Sequence, residues 1–386
     1  MKKKLLFVND EMTMGGVARI LNNLLLKLDP QKYDIDVLIL HPHGELLKDL
    51  PTHVRLLESR PFFEGVDVSL GSAFKQFNLI QIYRKLSLVI AMKTGFIETK
   101  IISERKKMNL GQYDVEFSAK EGFCTIFVAN GNAHRKLNWV QVDYHQQNYS
   151  KNHMPLMIKS LKSIDMNIAC SKPVEKAYQD IFEVTKISVI HNLVDDLKIK
   201  SLVIEPIQNP FKAESIKLIT VARFHPQKSL DRLLKAYASV KQTIGNLELV
   251  IIGDGELRES LINLSKSLNI EDSVQFLGII NNPYPYIHLA DLFVMSSLYE
   301  GYPTIVIESL LAGTPVLTTS VAGVDEQIEE GIHGWIVDNT TEALTQKLLE
   351  VCQNLKGLKA VKQKLSGYQY PNVEILHALE EELSQS

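Results

Sequence analysis

The segment LYEGYPTIVIESLLAGTPVLTT, Leu298 to Thr319, holds two carboxylates, Glu300 and Glu308, with seven residues between them. Apolar residues, Gly and Pro dominate the rest. A carboxylate buried without a partner is costly, so the pair needs a cation or a ligand. Gly301 and Pro303 keep 300–303 out of helix, and Pro303 suits the first helical position. TIVIESLLA lacks a polar stripe and reads as a helix buried nearly all round, stopped by Gly313 and Pro315. Glu300 then lies on the loop before the helix and Glu308 in its second turn. Both can face one mouth, lined by the backbone of Tyr302, Pro303, Thr304 and Ile305 with its free N–H groups. Sugar or ribose hydroxyls would suit such carboxylates. The plainer alternatives are a Glu300 that complements the helix dipole and a Glu308 paired with an Arg in the core.

Three more stretches place suitable residues just after a strand-like run. In TVARFHPQKSLDRLLKAY, Arg223 and Lys228 stand five apart around Pro226. An Arg and a Lys there could clamp a diphosphate, or be ordinary surface charges on a turn. In LVIIGDGELRESL, Gly253, Asp254 and Gly255 allow close approach of a nucleoside, or form a simple turn with Asp254 near a helix cap. In FVNDEMTMGGVARILNNLL, Gly15 and Gly16 open a helix whose N-terminus would favour an anion. The spacing is not GxGxxG, and a plain strand–helix turn explains it equally well.

The elements that must position these residues recur along the whole chain. Seven strand-like runs precede residue 195 and six follow residue 214. Most are near-continuous Val/Ile/Leu, as parallel strands covered on both faces should be. Helix-like stretches alternate with them, so two doubly wound α/β domains are expected. We place an N-terminal domain at 1–195 and a linker at 196–214, where Pro206 and Pro210 interrupt any period. A second domain follows at 215–365, then a C-terminal helix at 366–386. Ligands in such sheets bind outside the carboxyl ends of the strands.

The 386 residues are 45% hydrophobic and 23% charged, an ordinary globular composition. The three cysteines, Cys124, Cys170 and Cys352, match no metal spacing, and a reducing, cytoplasmic setting is expected. No signal peptide or membrane span is read, because the apolar run after the basic start is too short. Charge is uneven: 1–195 hold 26 Lys+Arg against 21 Asp+Glu, and 196–386 hold 16 against 24. Residues 72–109 concentrate the excess in Lys75, Arg84, Lys85, Lys93, Lys100, Arg105, Lys106 and Lys107. An anionic membrane surface is the expected partner of that stretch, at the inner face of the cell membrane. No nucleic-acid partner is expected. Asp34 and Asp36 form a D-x-D, but on a strand-like run, where it reads as a chance match.

Together the motifs resemble the GT-B nucleotide-sugar glycosyltransferases of the retaining, metal-independent group often called family four. The resemblance covers nearly the whole chain. It rests on EGYPTIVIE, VARFHPQKSLDRLLKA, GDGELRESL, FLGIINNPYPYIHLADLFVMSSLYEG and GGVARILNNL, in that family's order. It implies two Rossmann-like domains facing a central cleft, with the last helix crossing back to the first domain. It also implies roles. Arg223 and Lys228 would hold the donor diphosphate as it leaves, Glu300 the transferred sugar and Glu308 the ribose. The backbone at Tyr302–Ile305 would meet sugar or phosphate. Gly16, beside Gly15, would pack on the diphosphate, while Gly253, Gly255, Leu277 and Gly278 would line the nucleoside. No metal or cofactor is implied. The implied reaction is sugar transfer, from a UDP-sugar most readily, to a glycan, lipid-linked or polyol-phosphate acceptor of bacterial surface polysaccharide or teichoic acid. A non-catalytic GT-B subunit and a GT-B sugar-nucleotide epimerase are the alternatives. One departure stands out. Many relatives carry a His where KLNWVQVDYHQQN has Gln141. Its role on the acceptor or sugar side passes to Asp143 or His145, or is lost.

Overall fold

The computed structural model describes residues 2–13, 15–66, 79–146 and 153–385. The chain forms two compact units, Met1–Leu193 with Asn372–Ser386, and Val194–Pro371.

The first unit is built on a parallel sheet of seven strands: β1 (Lys3–Asn9), β2 (Tyr33–Ile39), β3 (Val54–Leu57), β4 (Val115–Ser118), β5 (Arg135–Val140), β6 (Met166–Ala169) and β7 (Ile187–Val189). Their order is β3-β2-β1-β4-β5-β6-β7. The second unit has six parallel strands: β8 (Ile216–Val221), β9 (Leu247–Ile252), β10 (Val274–Gly278), β11 (Leu292–Met295), β12 (Val316–Thr319) and β13 (Gly334–Val337). Their order is β10-β9-β8-β11-β12-β13.

The central strands show why these sequences choose this fold. Leu5, Leu6, Phe7 and Val8 of β1 are all buried, as are all six residues of β9. A strand that is apolar on both faces is stable only between two helical layers. Leu233, Leu234 and Tyr237 of the helix Leu230–Thr243 supply part of that cover in the second unit. In each sheet the order reverses beside the first strand, between β1 and β4 and between β8 and β11. The crevice outside the carboxyl ends at such a reversal is where open α/β sheets take ligands.

Two expectations need correction. The linker expected at 196–214 begins as a helix, Asp196–Val203, and belongs to the second unit. Asp195 caps that helix, its carboxylate accepting the Lys198 N–H at 3.2 Å. The cap signal of Asp195 and the run LKIKSLV outweigh the prolines further on. The second unit also extends to Pro371, past the expected end at 365. The last helix, Asn372–Ser384, returns to the first unit. There Lys3 Nζ donates to the Leu383 carbonyl at 3.2 Å, Lys32 pairs with Glu380 at 3.3 Å, and Arg135 pairs with Glu382.

Asp36 of the D-x-D is engaged inside the first unit. Arg55 donates to both of its oxygens, at 2.7 and 2.6 Å, and the Tyr113 hydroxyl donates to Oδ2 at 2.6 Å. The three cysteines are buried and none is in a disulfide. Among the described residues no helix is long and apolar enough to cross a membrane. Of the basic stretch 72–109, residues 72–78 with Lys75 lie outside the described residues.

Candidate functional site

The second unit concentrates its chemistry at its reversal. The loop after β8 carries Arg223 to Lys228, and the loop after β11 carries Ser296 to Pro303. Three sets of bonds brace them together, and a fourth fixes Glu300 within its own loop. Ser296 Oγ donates to the carbonyls of Lys228 and Ser229, at 2.9 and 3.0 Å. The Leu298 N–H donates to the Gln227 carbonyl at 2.8 Å, and Gln227 Nε2 donates to the Tyr299 carbonyl at 2.9 Å. Lys228 Nζ donates to Glu300 Oε1 at 2.5 Å. Ser297 Oγ donates to the same oxygen at 2.7 Å. Glu300 is therefore held from both loops, and its side chain is only 10% exposed. Its partner is Lys228, so the cost of burying the carboxylate is met by an ion pair with a hydrogen-bonding neighbour.

Arg223 differs. It is exposed and has no ion-pair partner among the described residues. The loop pair thus presents one committed cation and one open cation at the same sheet edge. A diphosphate gathers charge as its bond to a sugar breaks, and fixed cations aimed there favour that state.

The helix Thr304–Leu311 begins one residue later than the sequence suggested: Pro303 is its extended N-cap and not its first residue, and no acidic residue stands in its first turn. Its N-terminal turn carries the positive end of the helix dipole. Glu308 is 3% exposed, and Thr304 Oγ1 donates to its Oε1 at 3.2 Å.

The glycine turn after β9 has a structural duty that the sequence did not reveal. Gly253 and Gly255 have φ of +133° and +156°. A Cβ on Gly253 would stand 1.9 Å from the Ala222 carbonyl oxygen, and one on Gly255 2.6 Å from that of Phe224. The Phe224 N–H donates to the Asp254 carbonyl at 2.8 Å, so this turn shapes the loop carrying Arg223. The Gly253 N–H donates to the Gly278 carbonyl at 2.8 Å, which brings Leu277 and Gly278 beside it. In the first unit Gly15 precedes the helix Gly16–Lys27 with no side-chain cap. A Cβ on Gly16 would meet nothing within 4 Å.

The candidates at the departure from the family pattern are placed as follows. Gln141 is buried, and its amide is locked to Asn192: Gln141 Nε2 donates to Asn192 Oδ1 at 3.0 Å, and Asn192 Nδ2 donates back at 2.9 Å. Asp143 Oδ1 accepts the His145 N–H at 2.9 Å. The His145 ring is exposed and lies 3.1 Å from Asp180 Oδ2. The structure does not gather these three into one cluster. Sequence reasoning passed over Ser296, Ser297 and Gln227 as site residues. The adjacent serines leaving β11 were the available signal. Among the described residues no group of three His, Cys, Asp or Glu is placed to hold a metal.

The family model described as "Glycosyl transferases group 1" matches residues 204–364, the region that holds both braced loops. Through that region the chain is similar to the group 1 glycosyl transferases. The chain is 32% identical, over 46% of its length, to a Campylobacter jejuni enzyme. That relative is N-acetylgalactosamine-N,N'-diacetylbacillosaminyl-diphospho-undecaprenol 4-alpha-N-acetylgalactosaminyltransferase, of which the match takes in 48%. An uncharacterised glycosyltransferase of Haemophilus influenzae is 24% identical over 90% of both chains. That relative apart, the chain spans about half or less of the length of the first curated relatives it matches. Among solved structures, Anabaena Alr3699/HepE in complex with UDP superposes with a TM-score of 0.71 and 17% identity, covering all of both chains. The fold is therefore that of the GT-B glycosyltransferases.

Proposed function

We propose that this protein is a retaining glycosyltransferase that needs no metal. It transfers a hexose-type sugar from a nucleoside diphosphate, UDP foremost, to a glycan, lipid-linked or polyol-phosphate acceptor during assembly of a cell-surface polysaccharide. The observation that carries the reading is the braced pair of loops at the β8/β11 reversal. Arg223, Lys228 and the helix end at Thr304 all offer positive potential there, and Glu300 is fixed beside them. Arg223 and Lys228 would hold the leaving diphosphate in place of a metal ion. Glu300 orients Lys228 before the donor arrives and turns to a sugar hydroxyl when the ammonium meets phosphate. Glu308 takes the ribose. The UDP in the complex of the Anabaena protein supports the choice of base, and the bacterial relatives support the class of acceptor.

Calorimetry against UDP-, GDP-, ADP- and CDP-sugars tests donor binding, and release of nucleoside diphosphate tests turnover. Losing preorganised transition-state donors costs roughly 10²-fold or more in rate. We expect that loss in Glu300→Ala and in the Arg223→Ala/Lys228→Ala double variant. Near-wild-type turnover in both would overturn the site. Tight donor binding without turnover would mark a non-catalytic subunit, and an epimerised sugar nucleotide would mark an epimerase.

A peripheral, cytoplasmic-face location completes the proposal. The helix Leu79–Lys93 exposes Leu79, Tyr83, Leu86 and Ile90 at steps of four, three and four, and ends on the exposed Lys93. An apolar stripe beside a cation suits an anionic bilayer surface.

A further inference from the structure

The first sheet has a reversal of its own, between β1 and β4, and its residues are not those singled out by the departure at Gln141. Asp10 follows β1. Lys120 and Glu121 follow β4. The Lys120 ammonium pairs with Asp10 across the crevice. Glu121, next to that pair, is 8% exposed and has no ion-pair partner among the described residues. Its Oε2 accepts the Gln141 N–H at 3.0 Å. Burial, with Asp10 nearby, pushes its pKa up against the pull of that amide, of its own backbone amide and of Lys120. The position is costly. A buried carboxyl is being kept where two backbone amides, that of Gln141 and its own, are its bonded neighbours and the adjacent cation pairs with Asp10. The Gln141 side chain is meanwhile closed off, its amide bonded in both directions to Asn192.

We propose that the crevice between the carboxyl ends of β1 and β4 is a subsite for a neutral, hydroxyl-bearing ring of the acceptor, and that Glu121 is the residue that binds it. This rests on the transferase reading above. A carboxyl held toward its neutral form both donates and accepts, which matches a sugar or polyol hydroxyl and not a phosphate. The Asp10–Lys120 pair borders the subsite with one acceptor and one donor group. Gln141 contributes only its backbone, by steadying Glu121.

The test uses a panel of octyl glucosides, galactosides and N-acetylglucosaminides with the full chain. Saturation-transfer NMR with the glycosides alone reads the subsite without any nucleotide. UDP-sugar calorimetry, run in parallel, reads the other unit. Wild type should show transfer to at least one glycoside. Glu121→Ala should weaken that glycoside by about tenfold, the scale of one lost hydrogen bond to a buried group, with nucleotide-sugar binding unchanged. Glu121→Gln, which is neutral and keeps an acceptor for the Gln141 N–H, should bind within about threefold of wild type. If Glu121→Ala does not fold, Glu121→Asp carries the test, because its shorter reach should cause the same selective weakening. No transfer to any glycoside in wild type would overturn the subsite. So would unchanged affinity in the shortened variants, or equal losses in Gln and Ala. Failure of nucleotide-sugar binding with glycoside binding intact would instead sink the transferase reading alone.

Discussion

Glu300 shows how a residue can be read correctly in place and incompletely in duty. The spacing of Gly301, Pro303 and the apolar run located it on the loop before a helix. Its partner lies 72 positions earlier, at Lys228. No local pattern could give that bond, because it depends on β8 and β11 being neighbours in the sheet. The glycines separate by the same logic. Gly253 is required by its backbone contact with Ala222, whereas Gly16 has open space where a side chain would be. Gly253→Ala is therefore expected to cost stability on the scale of a strained backbone position, about 1–3 kcal/mol, and so to lower the melting temperature. Gly16→Ala should leave the melting temperature within about 1 °C, since surface changes cost little, yet slow nucleotide-sugar turnover. Differential scanning calorimetry with a turnover assay separates the two. A Gly16→Ala variant with wild-type kinetics would remove that glycine from the site.

At the scale of elements, strands were legible and their ends less so. All thirteen strand-like runs are strands, because a continuous apolar run between turn signals has few other ways to be buried. Helix Asp196–Val203 was hidden by the prolines that follow it. The helix Leu79–Lys93 raises the opposite difficulty. Its sequence is apolar on more than one face, and only the structure shows that Leu88 faces inward while Tyr83 is 72% exposed. That exposed stripe carries a prediction. A Tyr83→Ser/Leu86→Ser/Ile90→Ser variant should lose most of its co-sedimentation with anionic vesicles, since each apolar group withdrawn from a bilayer forfeits about 0.8 kcal/mol per CH₂. Its nucleotide-sugar affinity should not change. Equal sedimentation of variant and wild type, or no vesicle binding by wild type, would count against the peripheral location.

At the scale of the whole chain, the last helix tells most about how the two units share stability. It follows the second unit in sequence but packs in the first, burying Ile375, Leu379 and Leu383. Its acidic residues Glu380 and Glu382 meet Lys32 and Arg135, and Lys3 reaches the carbonyls of its last turn, where a helix favours cations. The exposed Lys32 pair adds little, so the apolar seam should dominate. Leu379→Ala/Leu383→Ala removes two fully buried side chains, at a cost of about 2–5 kcal/mol each. That loss should fall on the first unit alone. Ligand stabilisation offers the means to see it, because a nucleotide-sugar raises only the transition of the unit that binds it. In wild type, calorimetry with the best donor should shift one transition and spare the other. In the double variant the spared transition should drop by several degrees, and the donor-shifted transition should stay where it was. If both transitions fall together, the helix stabilises the molecule as one cooperative body, and the division of the chain into two stability units fails.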